Sequence, residues 1–328
     1  MKRILVTGGA GFLGRHLCAA LARAGNEVTA LDDLSAANSS FDHPELRSER
    51  IRVVNGTTND ASLVRALVAR HDGIVHFASV VGVEETMVNP IPTIQNVVGT
   101  FTLAQALEPR HYVLFGSSAD VYGLHSRLYE RPMHEDDLQV MESSLNDRWT
   151  YARVKSLEET LILRSPARSV IARIFNSYGP RMDHLFPRRL IPQFVTALLR
   201  GEPLRISGDG AQKRSMCFFE DSVRGLELCL RHAERQSAPY GVSVNIGHDE
   251  SLSIAEVATV LGRVAREMKL ISREPTLEYN ASIYTHAFDD TWDRVPDVRR
   301  AQELLGFRAQ VPFVDGIRRT LLAETRER

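Results

Sequence analysis

Short apolar runs alternate with stretches of helical periodicity through the first half of the chain. Runs at Ile4–Val6, Val28–Leu31, Ile51–Val54, Ile74–Phe77, Tyr112–Phe115 and Val170–Ile174 predict strands. Between them, apolar spacing of three and four residues, as in Leu13, Leu17 and Leu21, predicts helices around 12–23, 60–70, 93–107 and 150–164. Strand and helix in regular alternation imply a parallel, doubly wound sheet of Rossmann type, an α/β fold. The texture changes after Pro180, with Pro187, Pro192 and Pro203 among arginines. A strand at Met216–Phe219, a helix at Asp221–Arg231 and a strand near Val242–Ile246 follow. Ser253 with Glu256 three residues on forms a capping box that opens another helix, and helices around 298–305 and 313–325 complete the chain. This organisation predicts a dinucleotide-binding domain from residues 1–176 and about 212–248, and a smaller mixed lobe from about 177–211 and 249–328. The lobe is expected over the carboxyl ends of the strands, where ligands of such sheets bind.

With 328 residues, 43% of them hydrophobic, the chain can bury a large core. Forty basic against 41 acidic residues leave a net charge of -1, which gives no electrostatic footprint for nucleic acid or an anionic membrane. No run approaches the roughly 18 apolar residues of a spanning helix, and Lys2-Arg3 precedes only a short apolar stretch, so a cytoplasmic protein is expected. Cys18, Cys217 and Cys229 are far apart without paired-ligand spacing. They read as reduced, packed thiols, and no metal site is expected.

The chemistry begins at Val6-Thr7-Gly8-Gly9-Ala10-Gly11-Phe12-Leu13-Gly14, directly after the first strand. Gly8 permits a tight strand-to-helix turn, Gly11 lets a pyrophosphate approach the backbone, and Gly14 lets helix and strand pack closely, with the helix N–H groups facing the phosphates. The second strand ends in Asp32-Asp33, eighteen residues past Gly14, where a carboxylate would hold the adenosine ribose hydroxyls. Tyr151 and Lys155 stand at i and i+4 on one helix face. A cation there favours tyrosinate and lowers the phenol pKa, making a base for a hydroxyl being oxidised. Ser118, at the end of the fifth strand, is placed to bond the same reacting oxygen. His76 reads as a packed strand-end residue.

Together these motifs resemble the extended short-chain dehydrogenase/reductase family, in its branch of NAD-dependent nucleotide-sugar epimerases, dehydratases and decarboxylases. The resemblance spans nearly the whole chain. It runs through the glycine turn, Val75-His76-Phe77-Ala78, Asn96-Val97-Val98-Gly99-Thr100, the Ser118 segment, Tyr151 with Lys155, and Arg173 to Arg181. It continues in Gly208 to Arg214, Asn245-Ile246-Gly247, Arg294-Val295-Pro296-Asp297 and Leu304 to Phe307. It implies a catalytic set of Ser118, Tyr151 and Lys155, and an NAD site of Gly8, Gly11, Phe12, Leu13, Gly14, Asp32, Asp33, Phe77, Ala78, Asn96, Tyr151 and Lys155. Ser118, Asn176, Arg214 and Arg294 would contact a UDP- or dTDP-sugar. Family members commonly pair through the helices that correspond to 93–107 and 150–164, so a homodimer is expected.

The branch is decided near Asp120, also a candidate catalytic residue. Dehydratases usually carry Asp-Glu after the catalytic hydroxyl and decarboxylases Ser-Glu, while 4-epimerases commonly show Ser-Ala-X, as in Ser118-Ala119-Asp120 here. Asp120 reads equally as a shortened decarboxylase acid, a sugar-binding carboxylate or a solvated loop residue. Arg148-Trp149 resembles the decarboxylase-like members. Thr57-Thr58 stand where relatives often place an aspartate near the adenine. The leading expectation is epimerisation at C4 through a 4-keto sugar. Decarboxylation of UDP-glucuronic acid is the alternative, and an NAD-binding regulator without catalysis is the rival of another class. Sugar specificity is expected from loops 80–86, 124–146 and 182–189.

Overall fold

The computed structural model describes residues 1–36, 38–182, 189–279 and 292–326. Seven parallel strands form the main sheet. In chain order the first six are β1 (Arg3–Thr7), β2 (Glu27–Asp32), β3 (Ile51–Asn55), β4 (Gly73–His76), β5 (Tyr112–Ser118) and β6 (Arg168–Ile174), and Tyr240–Ile246 forms the outer strand beside β6. The order across the sheet is β3, β2, β1, β4, β5, β6 and Tyr240–Ile246, which reverses direction between β1 and β4. Such a reversal leaves a crevice at the carboxyl ends of the strands.

Both faces of the sheet are covered, as the apolar runs require. Ile4 and Val6 enter one core with Leu114, Val170 and the helix residues Leu17 and Leu21. The intervening Leu5 enters the opposite core with Val113, Phe115 and Ile171. A third core, with Phe194, Leu204, Leu261 and Phe313 among its members, holds the smaller lobe. Each such Leu or Phe removed from water contributes about 1.5–3 kcal/mol.

The capping box is formed, with the Ser253 hydroxyl accepting from the Glu256 N–H at 3.1 Å and the Glu256 carboxylate accepting from the Ser253 N–H at 2.7 Å. The expected strand at Met216–Phe219 is present in shortened form, as Cys217–Phe218. Lys213–Ser215 pairs with Ser251–Ser253 and Asp293–Arg294, whereas Cys217–Phe218 pairs with Ser177–Tyr178 and the next helix begins at Phe219. The polar Lys213–Ser215 and the apolar Cys217–Phe218, one residue apart, thus enter two different small sheets. The three cysteines are buried and free. Among the described residues no group of three or more His, Cys, Asp or Glu side chains is arranged to hold a metal, and no helix is long and apolar enough to cross a membrane.

Candidate active site

The parallel register aligns the chemistry at one edge. Thr7 lies beside His76, His76 beside Phe115, and Ser118 beside Ile174, so the segments that follow these strands meet over the crevice. Every residue expected to hold the cofactor or substrate, or to act on it, lines a single cavity of about 1370 Å³ there. Of the three loops expected to set specificity, residues 183–188 lie outside the described residues.

The turn after β1 fits a dinucleotide. Gly8 has φ +68°, and a Cβ on it would stand 2.7 Å from the Ala78 nitrogen. A Cβ on Gly14 would stand 2.0 Å from the Gly8 carbonyl oxygen, so the helix Phe12–Arg23 can start against the strand only with glycine there. Asp32, at the tip of β2, accepts the Ala10 N–H at 3.0 Å and the Leu34 N–H at 2.9 Å. Burial raises the pKa of its carboxyl, and these backbone donors oppose that rise. A bound ribose diol would add donors to the same oxygens. Asp33 is exposed at the rim and accepts from the Ser35 N–H. Asn96 lines the cavity, but its amide clamps the neighbouring loop, accepting from the Val80 N–H and donating to Ser79 Oγ and the Val80 carbonyl.

Tyr151 and Lys155 share a face of the helix Thr150–Leu163, and both are buried. Their electrostatics differ from the sequence expectation. Lys155 Nζ forms an ion pair with Glu158 Oε2 at 3.0 Å and lies 4.9 Å from the Phe115 ring centre. The Tyr151 phenol is held above its ordinary range by burial first and then by the charges of Asp120 and Glu158, while Arg189 and a hydrogen bond with the Ser118 side chain act the other way. The i, i+4 cation does not bring the phenol pKa down here, because burial and then two carboxylates act against it.

Asp120 is buried, which removes the solvated-loop reading. Its Oδ1 accepts from Arg294 Nη2 at 2.9 Å and from Arg148 Nη2 at 3.4 Å, and its Oδ2 accepts the Ser118 hydroxyl at 3.2 Å. Burial alone would raise its pKa, but the two guanidinium groups outweigh that and hold it below the usual aspartate value. Asp120 is therefore a carboxylate at neutral pH. Arg294 neighbours Arg214 across paired strands, and Arg214 Nη1 donates to the carbonyls of Lys213 and Trp292. Asn176 lines the same wall. Sequence reasoning noted Arg148 only beside Trp149 and passed over Glu158. The signal for Glu158 was its position three residues beyond Lys155 on the same helical face.

A Rossmann-type sheet with this glycine turn and a Ser, Tyr and Lys group facing one crevice defines an enzyme scaffold of the extended short-chain dehydrogenase/reductase class. Residues 4–247 match the NAD dependent epimerase/dehydratase family, and the chain belongs to that family. It is an NAD-dependent enzyme. Among its relatives is the UDP-N-acetyl-alpha-D-glucosaminuronate decarboxylase of Bacillus cytotoxicus, 33% identical over 325 residues that cover 98% of this chain and 97% of that one. UDP-glucuronic acid decarboxylase 1 of Xenopus tropicalis is 30% identical over 331 residues, covering 98% of this chain and 71% of that protein. The solved structure of MoeE5 in complex with UDP-glucuronic acid and NAD is 28% identical, covers 99% of both chains and superposes with a TM-score of 0.80.

Proposed function

We propose that the protein acts on a UDP-uronic acid, oxidising it at C4 and removing its C6 carboxylate as carbon dioxide. The observation that carries this reading is the pair of guanidinium groups at Asp120. Arg148 and Arg294 both reach its buried carboxylate beside Ser118 and Tyr151, and both line the cavity. Guanidinium forks match carboxylate oxygens, so this wall suits the C6 carboxylate of a uronic acid better than the hydroxymethyl group of a neutral hexose. The two decarboxylase relatives at 33% and 30% identity support the same substrate class.

In this reading NAD, held by the Gly8 to Gly14 turn and Asp32, would supply the acceptor for the C4 hydride and the donor for its return. Tyr151 accepts the C4 hydroxyl proton, and Ser118 hydrogen-bonds the same oxygen as it becomes a ketone. The C4 ketone is β to the carboxylate, so the C5–C6 bonding pair passes into an enolate as carbon dioxide leaves. Ser118 and the Tyr151 hydroxyl stabilise that enolate oxygen. A proton taken from solvent water adds at C5, and Tyr151 returns its proton to O4 when the carbonyl is reduced again. Asp120, fixed as an anion, orients the two arginines and supplies no proton.

The epimerisation put first by the Ser118-Ala119-Asp120 pattern becomes the second reading, on the same acid. What favours it is that guanidinium groups stabilise a carboxylate against loss. Incubation with UDP-glucuronic acid, UDP-N-acetylglucosaminuronic acid and their neutral counterparts, followed by mass spectrometry and NMR, tests both. Loss of carbon dioxide from an acid supports the proposal. An acid of unchanged mass with inverted C4 supports the second reading, and turnover of neutral sugars alone overturns both.

A further inference from the structure

Glu158 is fully buried, yet neither the cofactor nor the substrate role assigned above uses it. Its two oxygens have different partners. Oε2 pairs with Lys155 at 3.0 Å, and Oε1 accepts the Thr100 hydroxyl at 2.6 Å. Thr100 has then used its proton, so its oxygen accepts from His76 Nε2, 2.9 Å away. Burial, with Lys155 nearby, pushes the His76 pKa down to about 3. The ring is neutral, and Nδ1 accepts the Thr7 hydroxyl at 2.6 Å, whose oxygen in turn accepts the Ala78 N–H at 3.2 Å. Every donor in this chain points toward Glu158. The chain ends on a backbone amide and offers no exit for a proton, so it serves to hold an ionised carboxylate in place. The adjacent Glu159 has other partners, Arg173 and Ser117.

We propose that Glu158 is a positioning residue: its fixed carboxylate holds the Lys155 ammonium against β5 and raises the pH at which the Tyr151–Lys155 pair gives up its first proton. The inference rests on Tyr151 as the proton acceptor of the reading above. Among the described residues, the charged groups facing this pair are Glu158 on its own helix, Asp120 after β5 and Arg189 from the smaller lobe. Arg148 acts through its pair with Asp120. His76 and Thr100, from β4 and the helix Ile91–Ala106, are neutral and face Glu158. Asp120 also raises the phenol pKa and is held by Arg148 and Arg294, whereas Glu158 is the carboxylate in direct contact with Lys155. Without it, the buried pair carries one more positive charge and releases a proton more readily.

The test is a pH titration by NMR of NAD-loaded protein carrying carbon-13 at tyrosine Cζ and lysine Cε. The Tyr151 signal is assigned by its absence in Tyr151→Phe. In Glu158→Gln the first proton lost by the pair moves to lower pH by about one unit, a tenfold change in its acid constant. Glu158→Asp, which keeps the charge, returns the midpoint toward wild type. Thr100→Val, isosteric but unable to donate, moves it in the same direction by less. A Glu158→Gln midpoint that is unmoved or raised overturns the proposal, as do signals that never titrate in either protein. If Glu158→Gln does not fold, Thr100→Val decides by the same criterion. The acid limb of single-turnover oxidation of UDP-glucuronic acid is expected to follow the NMR midpoint. If no UDP-sugar is oxidised, the substrate reading fails while the NMR titration still judges Glu158.

Discussion

Asp120→Asn keeps the shape of the side chain and removes its charge, leaving Arg148 and Arg294 facing each other across a buried amide. At 2.9 and 3.4 Å from the two guanidinium groups, the carboxylate gains about 6 and about 5 kcal/mol of attraction at an effective dielectric near 20. Desolvation offsets much of this. Because the amide oxygen still accepts one hydrogen bond, the net loss belongs at the low end of the range for breaking a buried pair, about 3 kcal/mol. For 328 residues the unfolding entropy near the midpoint is about 0.7 kcal/mol per kelvin, so Tm should fall by about 4 °C at pH 7. The pH dependence gives a sharper test. Asp120 has a folded pKa below its unfolded value of 3.8, so its stabilisation is present above that value and is lost as pH falls through the folded one. Asp32 and Glu135, whose burial raises their pKa, contribute with the opposite sign but equally in both proteins. Paired scanning calorimetry of wild type and variant from pH 7 to 3 should show the gap closing below about pH 4. A gap that is absent at pH 7, or that widens in acid, refutes the charged triad.

Tyr151→Phe keeps the buried ring but deletes the proton acceptor. Turnover should drop about 100-fold or more with NAD affinity retained by calorimetry, and near-native turnover would remove Tyr151 from the chemistry. Arg294→Ala should raise KM for a UDP-uronic acid about tenfold or more while binding of UDP-glucose changes little; equal losses for both would detach Arg294 from the carboxylate. The Asp32 carboxylate, already braced by two backbone donors, repels a 2′-phosphate, so NAD should bind at least about tenfold more tightly than NADP to emptied protein. Ile91, Ile94, Val98, Phe101 and Leu157 expose apolar side chains on the helices Ile91–Ala106 and Thr150–Leu163. We expect them to meet a second copy, and light scattering that returns only 36.7 kDa at micromolar concentration would reject that pairing.

How far the sequence reached depends on the range of each interaction. The main strands and flanking helices were legible because their apolar periodicity is local, and because strands buried on both faces leave runs that few other structures require. The glycine turn was legible for a related reason: a Cβ at Gly14 collides with a backbone atom six residues away, so the constraint is written within a short window. The strand expected at Met216–Phe219 is there as Cys217–Phe218, but the polar strand Lys213–Ser215 just before it left no apolar signal and was not foreseen. The charge at Asp120 was out of reach. Its Arg294 partner is 174 residues away and arrives only because Asp293–Arg294 pairs with Lys213–Ser215 in the small sheet.

The same distinction explains the phenol. Tyr151 and Lys155 are a local pair, and their spacing foretold that they would share a face, yet the sign of the effect belongs to the surroundings. Glu158 was within reach of the same helical count, whereas Asp120 required the tertiary fold. A cation at i+4 lowers a tyrosine pKa only where burial and nearby carboxylates do not outweigh it, and here the phenol is buried, Asp120 stands close and Glu158 meets the ammonium at 3.0 Å. Tyr151 is thus kept as a phenol in the protein alone. An oxidised nicotinamide held in the cavity that Tyr151 lines would add positive charge and favour release of that proton, which would couple readiness for hydroxyl oxidation to the presence of a hydride acceptor. On this argument wild-type Tyr151 should titrate at lower pH with NAD than without it, and NMR midpoints that coincide in the two states would refute the coupling.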